Sequence, residues 1–212
     1  MKQQRLAWSG WIAAAGLAGV MVGSGFQSTS IKLGVVDLNG VIDKSEVGKL
    51  AKKNFDDMKK SRESLLEFID QYRILTIEQA TRIKDLMLKK ERTKPEDAEL
   101  ERIKADVIAT SKRSQELATK ANLTPEERTL VEDFSRRSQI INDLSNRWLR
   151  EFSDEMRNWM SDRKDENYLK ARLAVNEVAA KEGYTMIFEG TVALYGANDI
   201  TDPTLAALNA KP

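Results

Sequence analysis

The sequence predicts an α+β fold that is mostly α: a long helical hairpin of coiled-coil character standing on a small β unit. Three observations carry this. No glycine lies between Gly48 and Gly183, 134 consecutive residues, and that stretch holds two prolines, Pro95 and Pro125. Glycine and proline cost a helix interior about 1 and 3 kcal/mol per site, and turns draw on both, so the stretch favours very long helices with few breaks. Charged residues are 32% of the chain and hydrophobic residues 41%, a mixture suited to solvated helices rather than to a compact globule. Short β-branched runs stand only near the two ends, so the chain must travel out and return for them to meet in one sheet.

The N-terminal segment, residues 1–26, reads as a secretory signal. Lys2 and Arg5 precede an apolar run from Trp11 to Val22, and Gly23, Ser24 and Gly25 form a small-residue exit. No clean Ala-x-Ala marks the cut, so the exact cleavage site stays open. The alternative is an uncleaved anchor, since an apolar core of about 17 residues is near the lower limit for a span. Either way the remainder is exported. Losing Lys2 and Arg5 from 34 basic residues leaves 32 against 33 acidic, or −1 for the mature chain.

Ile31–Asn39 reads as a strand, and the adjacent Val35 and Val36 suggest burial on both faces. Asn39-Gly40 closes it, and Asp43 or Ser45 can cap a following helix. The first long helix is expected from Ser45 to Arg92, with Leu65, Ile69, Tyr72, Ile83 and Leu86 on a narrow seam whose gaps are filled by Thr76 and Gln79. A break follows near 93–95, with Pro95 at N1. The middle helix is weakly apolar: Leu100, Ile103, Val107, Ile108 and Leu117. The second break, near 122–125, has Thr124 as N-cap, Pro125 at N1 and Glu127 at the capping-box position.

The third helix runs from Pro125 to about Lys181. Its seam is the clearest in the chain: Ile141, Leu144, Trp148, Phe152, Met156 and Trp159. After Gly183 two short strands are expected, Tyr184–Gly190 and Thr191–Gly196. Asn198-Asp199 makes a turn, and Thr201 or Asp202 caps a last helix with Pro203 in its first turn. The chain thus divides into 1–26, a β-rich base of 31–44 with 183–212, and a helical arm of 45–182. A tip at 122–124 gives arms of about 76 and 58 residues, better matched than a tip at 93–95, and the Pro95 jog can absorb part of the excess.

Composition narrows the function. The chain has no Cys and no His, which removes thiol chemistry and the commonest general base and metal ligand. No paired-carboxylate constellation stands out among the 33 acidic residues, and no phosphate-binding glycine loop is present. No enzyme, cofactor or metal site is expected. A net charge of +1 calls for no nucleic acid partner. The small strands bury little apolar area alone, so oligomerisation is the natural way to complete their core.

The ends carry a resemblance. Val35-Val36-Asp37-Leu38-Asn39 followed by Ser45-Glu46-Val47-Gly48-Lys49 resembles the N-terminal motif of the Skp (OmpH-like) periplasmic chaperones. Gly183-Tyr184 through Ala193-Leu194-Tyr195-Gly196, then Asp199-Ile200-Thr201-Asp202 and Leu205, resembles their C-terminal motif. The resemblance implies a homotrimer with a shared β core and helical tentacles around a cavity, which holds unfolded outer-membrane proteins without ATP in the periplasm. On that reading Val35, Val36, Leu38, Ile187, Phe188, Leu194 and Tyr195 form the oligomer core. The base is then expected to exchange amide hydrogens slowly and the segment Thr93–Thr124 fast.

Trp148, Phe152, Met156, Trp159 and Met160 are the candidate client contacts. A helix–helix seam by itself accounts for most of them, and the residues in excess of a tidy seam are the ones that would face a client, with Met160 and Leu149 lying beside the main row. Two departures from the family stand out: the helical region is longer, with the Pro95 and Pro125 breaks, and the near-neutral mature charge gives no basis for electrostatic capture or a lipopolysaccharide site. The rival reading is a structural coiled-coil protein of the envelope, in contact with the membrane only if the N-terminal segment is uncleaved.

Overall fold

The computed structural model describes residues 31–193 and 198–211. Among these, β1 (Leu33–Val36) leads into α1 (Leu38–Lys44) and α2 (Glu46–Gln71). Then come α3 (Ile77–Leu88), α4 (Lys94–Thr119), the 58-residue α5 (Pro125–Glu182), β2 (Met186–Glu189) and α6 (Thr201–Asn209).

β1 and β2 pair in parallel, with Leu33 opposite Met186 and Val36 opposite Glu189. Asp199 bridges the other side of β1 at Val35, where the Val35 amide donates to the Asn198 carbonyl at 2.9 Å. Asn198-Asp199 is therefore an extended flank of the sheet and not a free turn. The strand expected at Thr191–Gly196 is described only over its first three residues, which are not strand. Thr191 and Val192 stand in a turn closed by the Val192 amide on the Glu189 carbonyl at 2.8 Å, and residues 194–197 lie outside the described residues.

The expected turn at Asn39-Gly40 is instead helical. Asp37 caps α1, its carboxylate accepting the Gly40 amide at 2.8 Å, so a donor that would otherwise be orphaned is satisfied as soon as the strand ends. Ser45 ends α1 and starts α2. Its hydroxyl accepts from the Gly48 amide at 3.0 Å and donates to the Ile42 carbonyl at 2.7 Å. At this corner the backbones nearly touch: a Cβ on Gly48 would meet the Ile42 carbonyl oxygen at 1.9 Å.

The single helix expected from Ser45 to Arg92 is two helices. α2 stops at Gln71, and Thr76 with Gln79 forms a capping box that starts α3, the Thr76 amide donating to Gln79 Oε1 at 3.0 Å. Thr76 and Gln79 are not gap-fillers in a seam; they satisfy a helix N-terminus. Leu75, just before the cap, is buried and anchors the bend.

The chain then folds back. Arg82 pairs with Glu99 and Gln79 with Asp106, so α3 and α4 are antiparallel. Arg62 pairs with Glu155 and Phe55 packs on Trp159, so α2 and α5 are antiparallel too. The path runs out along α2, back along α3, out along α4 and home along α5. This Z absorbs the excess length of the outgoing arm, more than a jog at Pro95 could. Thr93 caps α4, which places Pro95 one residue inside N1. Thr124, Pro125 and Glu127 start α5 as their order predicts, and Gly183 ends it at φ 73°, the left-handed region open to glycine. α6 has Ile200 at its N-cap without a side-chain bond; Asp199 accepts the Thr201 amide instead, so neither Thr201 nor Asp202 is the cap.

Two cores result. In mid-arm, Leu65, Ile69, Leu75, Ala80, Ile83, Leu86, Leu100, Val107, Ile141, Leu144, Trp148 and Phe152 bring four helices together. At the base, Val36, Leu38, Val41, Ala171, Ala174, Val178, Ile200 and Leu208 pack the sheet against α1, α5 and α6.

Candidate functional site

The α2–α5 contact positions the candidate residues. Arg62 is its lock. Its guanidinium is nearly buried, donates to both carboxylate oxygens of Glu155 at 2.8 and 3.2 Å and reaches the Met58 carbonyl at 3.1 Å. A fork-like pair of this kind fixes the relative position of two helices as a point charge would not. Arg62 also lies 5.5 Å from the Phe152 ring centroid, and Lys84 of α3 lies 4.9 Å from that of Trp148.

Surfaces of different character open on two sides of this contact. On one side is a groove of about 400 Å³ with Phe55 and Leu66 from α2 on one wall and Leu149, Met156 and Met160 from α5 on the other, over a floor of Phe152. Its exposed lining is mostly apolar, and Leu149 and Met160 are 56% and 53% exposed. On the other side the α3–α4 turn approaches the arm. There a wider cleft of about 790 Å³ is lined by Met58, Met87 and Trp159 together with Asp57, Lys90 and Arg163, and is about equally polar and apolar.

The five candidate contacts thus part company. Trp148 and Phe152 are buried in the mid-arm core, at 5% and 4% exposure. Met156, half-buried, and Met160 line the apolar groove. Trp159, half-buried, stands on the cleft side against Phe55, with ring centroids 6.1 Å apart. Sequence reasoning missed the second wall, Phe55 and Leu66. Both stand at apolar positions of the first helix, but the register of α2 on α5 is not written in either segment alone.

The base divides likewise. Val36 and Leu38 are buried by their own chain, while Val35 and Ile187 are half-buried. The expectation that β1 is buried on both faces fails within one chain: Leu33, Met186 and Phe188 are 45%, 53% and 37% exposed on the sheet face away from the base core, with Ile31 and Val192 exposed beside them. Leu194 and Tyr195 lie outside the described residues.

The fold-back is laced by carboxylates held in their charged form. Lys89 and the Thr93 amide donate to Glu96 and lower its pKa from 4.5 to about 2; Arg82 lowers that of Glu99, and Lys120 that of Glu127. All sit at the surface and stabilise little individually. Among the described residues no group of His, Cys, Asp or Glu is placed to hold a metal ion, and no helix is long and apolar enough to cross a membrane.

A family model described as outer membrane protein (OmpH-like) matches residues 32–208. No curated protein and no solved structure matches the chain.

Proposed function

This chain belongs to the OmpH-like outer membrane protein family, and from that premise we propose that it is an ATP-independent holdase. The family is one of periplasmic chaperones for outer-membrane proteins. Here the protein would bind such chains unfolded and keep them from aggregating. The observation that carries the reading is the open apolar groove on the arm, with Leu149 and Met160 more than half exposed beside Met156. Methionine adapts its shape to varied partners and suits a surface that must hold many sequences weakly. Shielding exposed apolar segments from one another is what blocks aggregation.

The uncovered apolar sheet face, Leu33, Met186 and Phe188, supports a homotrimer in which three bases share a core. Three arms standing on it would enclose a client between them. The N-terminal segment, acting as a signal peptide, would deliver the chain to the periplasm.

The test is aggregation of a urea-diluted outer-membrane barrel, followed by light scattering with and without ATP. A holdase suppresses scattering at stoichiometric amounts and ignores the nucleotide. A structural coiled-coil protein of the envelope leaves scattering unchanged.

A further inference from the structure

We propose that the groove between α2 and α5 takes uncharged apolar segments of an unfolded chain in extended form, and that charge plays no part in capturing them. The proposal rests on the holdase reading and names the kind of segment this site would hold.

The argument begins with the cations around the groove. Three line it, and each already has a carboxylate of this chain beside it: Lys59 with Glu63 at 3.7 Å, Arg62 with Glu155 at 2.8 Å and Arg157 with Asp154 at 3.3 Å. A carboxylate on an incoming segment would compete with these partners and lose its own hydration on entering. The apolar lining gives the opposite result for an aliphatic or aromatic side chain, which gains by leaving water.

Dimensions set the length. From Leu149 to Met160 the α5 wall is about 16 Å long at 1.5 Å per residue. An extended segment covers that in about five residues, and because its side chains alternate, about three would enter the groove. A second copy of the chain is a poorer occupant. The groove lies outward along α5 from Ala171, Ala174 and Val178, which pack the base, and the base has its own uncovered apolar face to meet a copy.

The experiment uses the full mature chain and two fluorescein-labelled peptides. One alternates Leu, Phe and Val with Ser and Thr; the other is the same peptide flanked by glutamates. Anisotropy titrations are run at about 50 and 500 mM salt, which changes screening several-fold in length. The two peptides should bind with Kd values within about twofold of each other, and salt should move either by no more than that. The double variant Leu149→Ser/Met160→Ser, altered at two exposed positions and melting like the parent, should weaken binding about tenfold. Leu169→Ser, exposed on α5 outside the groove, should leave binding unchanged.

Tighter binding of the glutamate-flanked peptide with loss in salt would overturn the proposal, and so would full binding by the double variant. A change of mass for the double variant in sedimentation would assign the groove to a second copy instead, which also overturns it. The holdase reading is judged apart. If the parent fails to suppress aggregation, that reading falls while the titrations still decide the groove; if parent and double variant suppress equally, the groove falls and the holdase stands.

Discussion

The mid-arm core and the base core are built from different material. The arm core draws twelve buried apolar residues, eleven from four helices and Leu75 from the bend between α2 and α3, including Trp148, Phe152 and five leucines, and its own chain buries them all. The base core has eight, mostly Val and Ala, beneath two four-residue strands whose outer face stays apolar and uncovered. A two-stranded sheet is marginal alone. The arm core is thus closed within one chain, while the base leaves an apolar face that the proposed trimer would cover. The expectation of fast exchange across Thr93–Thr124 needs revision accordingly: Leu100, Val107 and Leu117 in that segment are buried. Protection of Leu100–Val107 should be independent of protein concentration, and that of Val35–Leu38 should rise with it.

The largest effect is expected from Ile83→Asp. Ile83 is fully buried in the arm core, and an unpaired carboxylate there costs about 4 kcal/mol or more. Exchange over Ile77–Val107 should become fast while sedimentation still reports the parent's mass. Loss of the oligomer in the same variant would show that the two cores are not separable.

Phe188→Asp attacks the other side. A charge on the uncovered sheet face should yield monomers by sedimentation, with the thermal unfolding of the arm helices nearly unchanged. Val36→Asp would not discriminate, because Val36 is buried by its own chain and the variant would damage the monomer as well. Intact trimers of Phe188→Asp would remove that face from the interface.

Gly48→Ala tests the corner where arm meets base. Its methyl would fall on the Ile42 carbonyl oxygen, so α1 and α2 must shift, at a cost of about 1–3 kcal/mol. Chemical denaturation should detect this, with exchange rising at Leu38–Lys49 before it rises in the arm core. Unchanged stability would mean that the corner yields freely.

Acid should have the smallest effect. Glu96 titrates lower in the folded chain than its ordinary 4.5, at about 2, because Lys89 and Thr93 donate to it. Its contribution is present above 4.5 and is lost as pH falls through that window. Glu99, lowered by Arg82, acts in the same direction. Between pH 7 and pH 3 the protection factors of α3 and α4, which remove the intrinsic pH dependence of amide exchange, should fall modestly, by less than in Gly48→Ala, since exposed pairs contribute little. Protection factors rising on acidification would contradict the assignment.

Local chemistry by itself determined much of this protein. The glycine-free span dictated long helices, Thr124-Pro125-Glu127 started α5, Gly183 ended it, and the order of strand, helices, strand and helix carried the family's fold. Capping at Asp37 and Thr76 was written in the same local code, though Gly40 and the gap between Tyr72 and Ile83 suggested other readings. Only the tertiary structure decided where the path reverses and which apolar residues meet. Ile83 and Leu86 continue the spacing of Leu65 and Ile69 along the sequence, yet they pack against them from an antiparallel helix. A stripe of side chains states that a face will be buried; it does not state by what. Met160 and Trp159 are neighbours in sequence, and a helix turns about 100° between them, so the packing of α2 and α3 on α5 sends one to the groove and the other to the cleft.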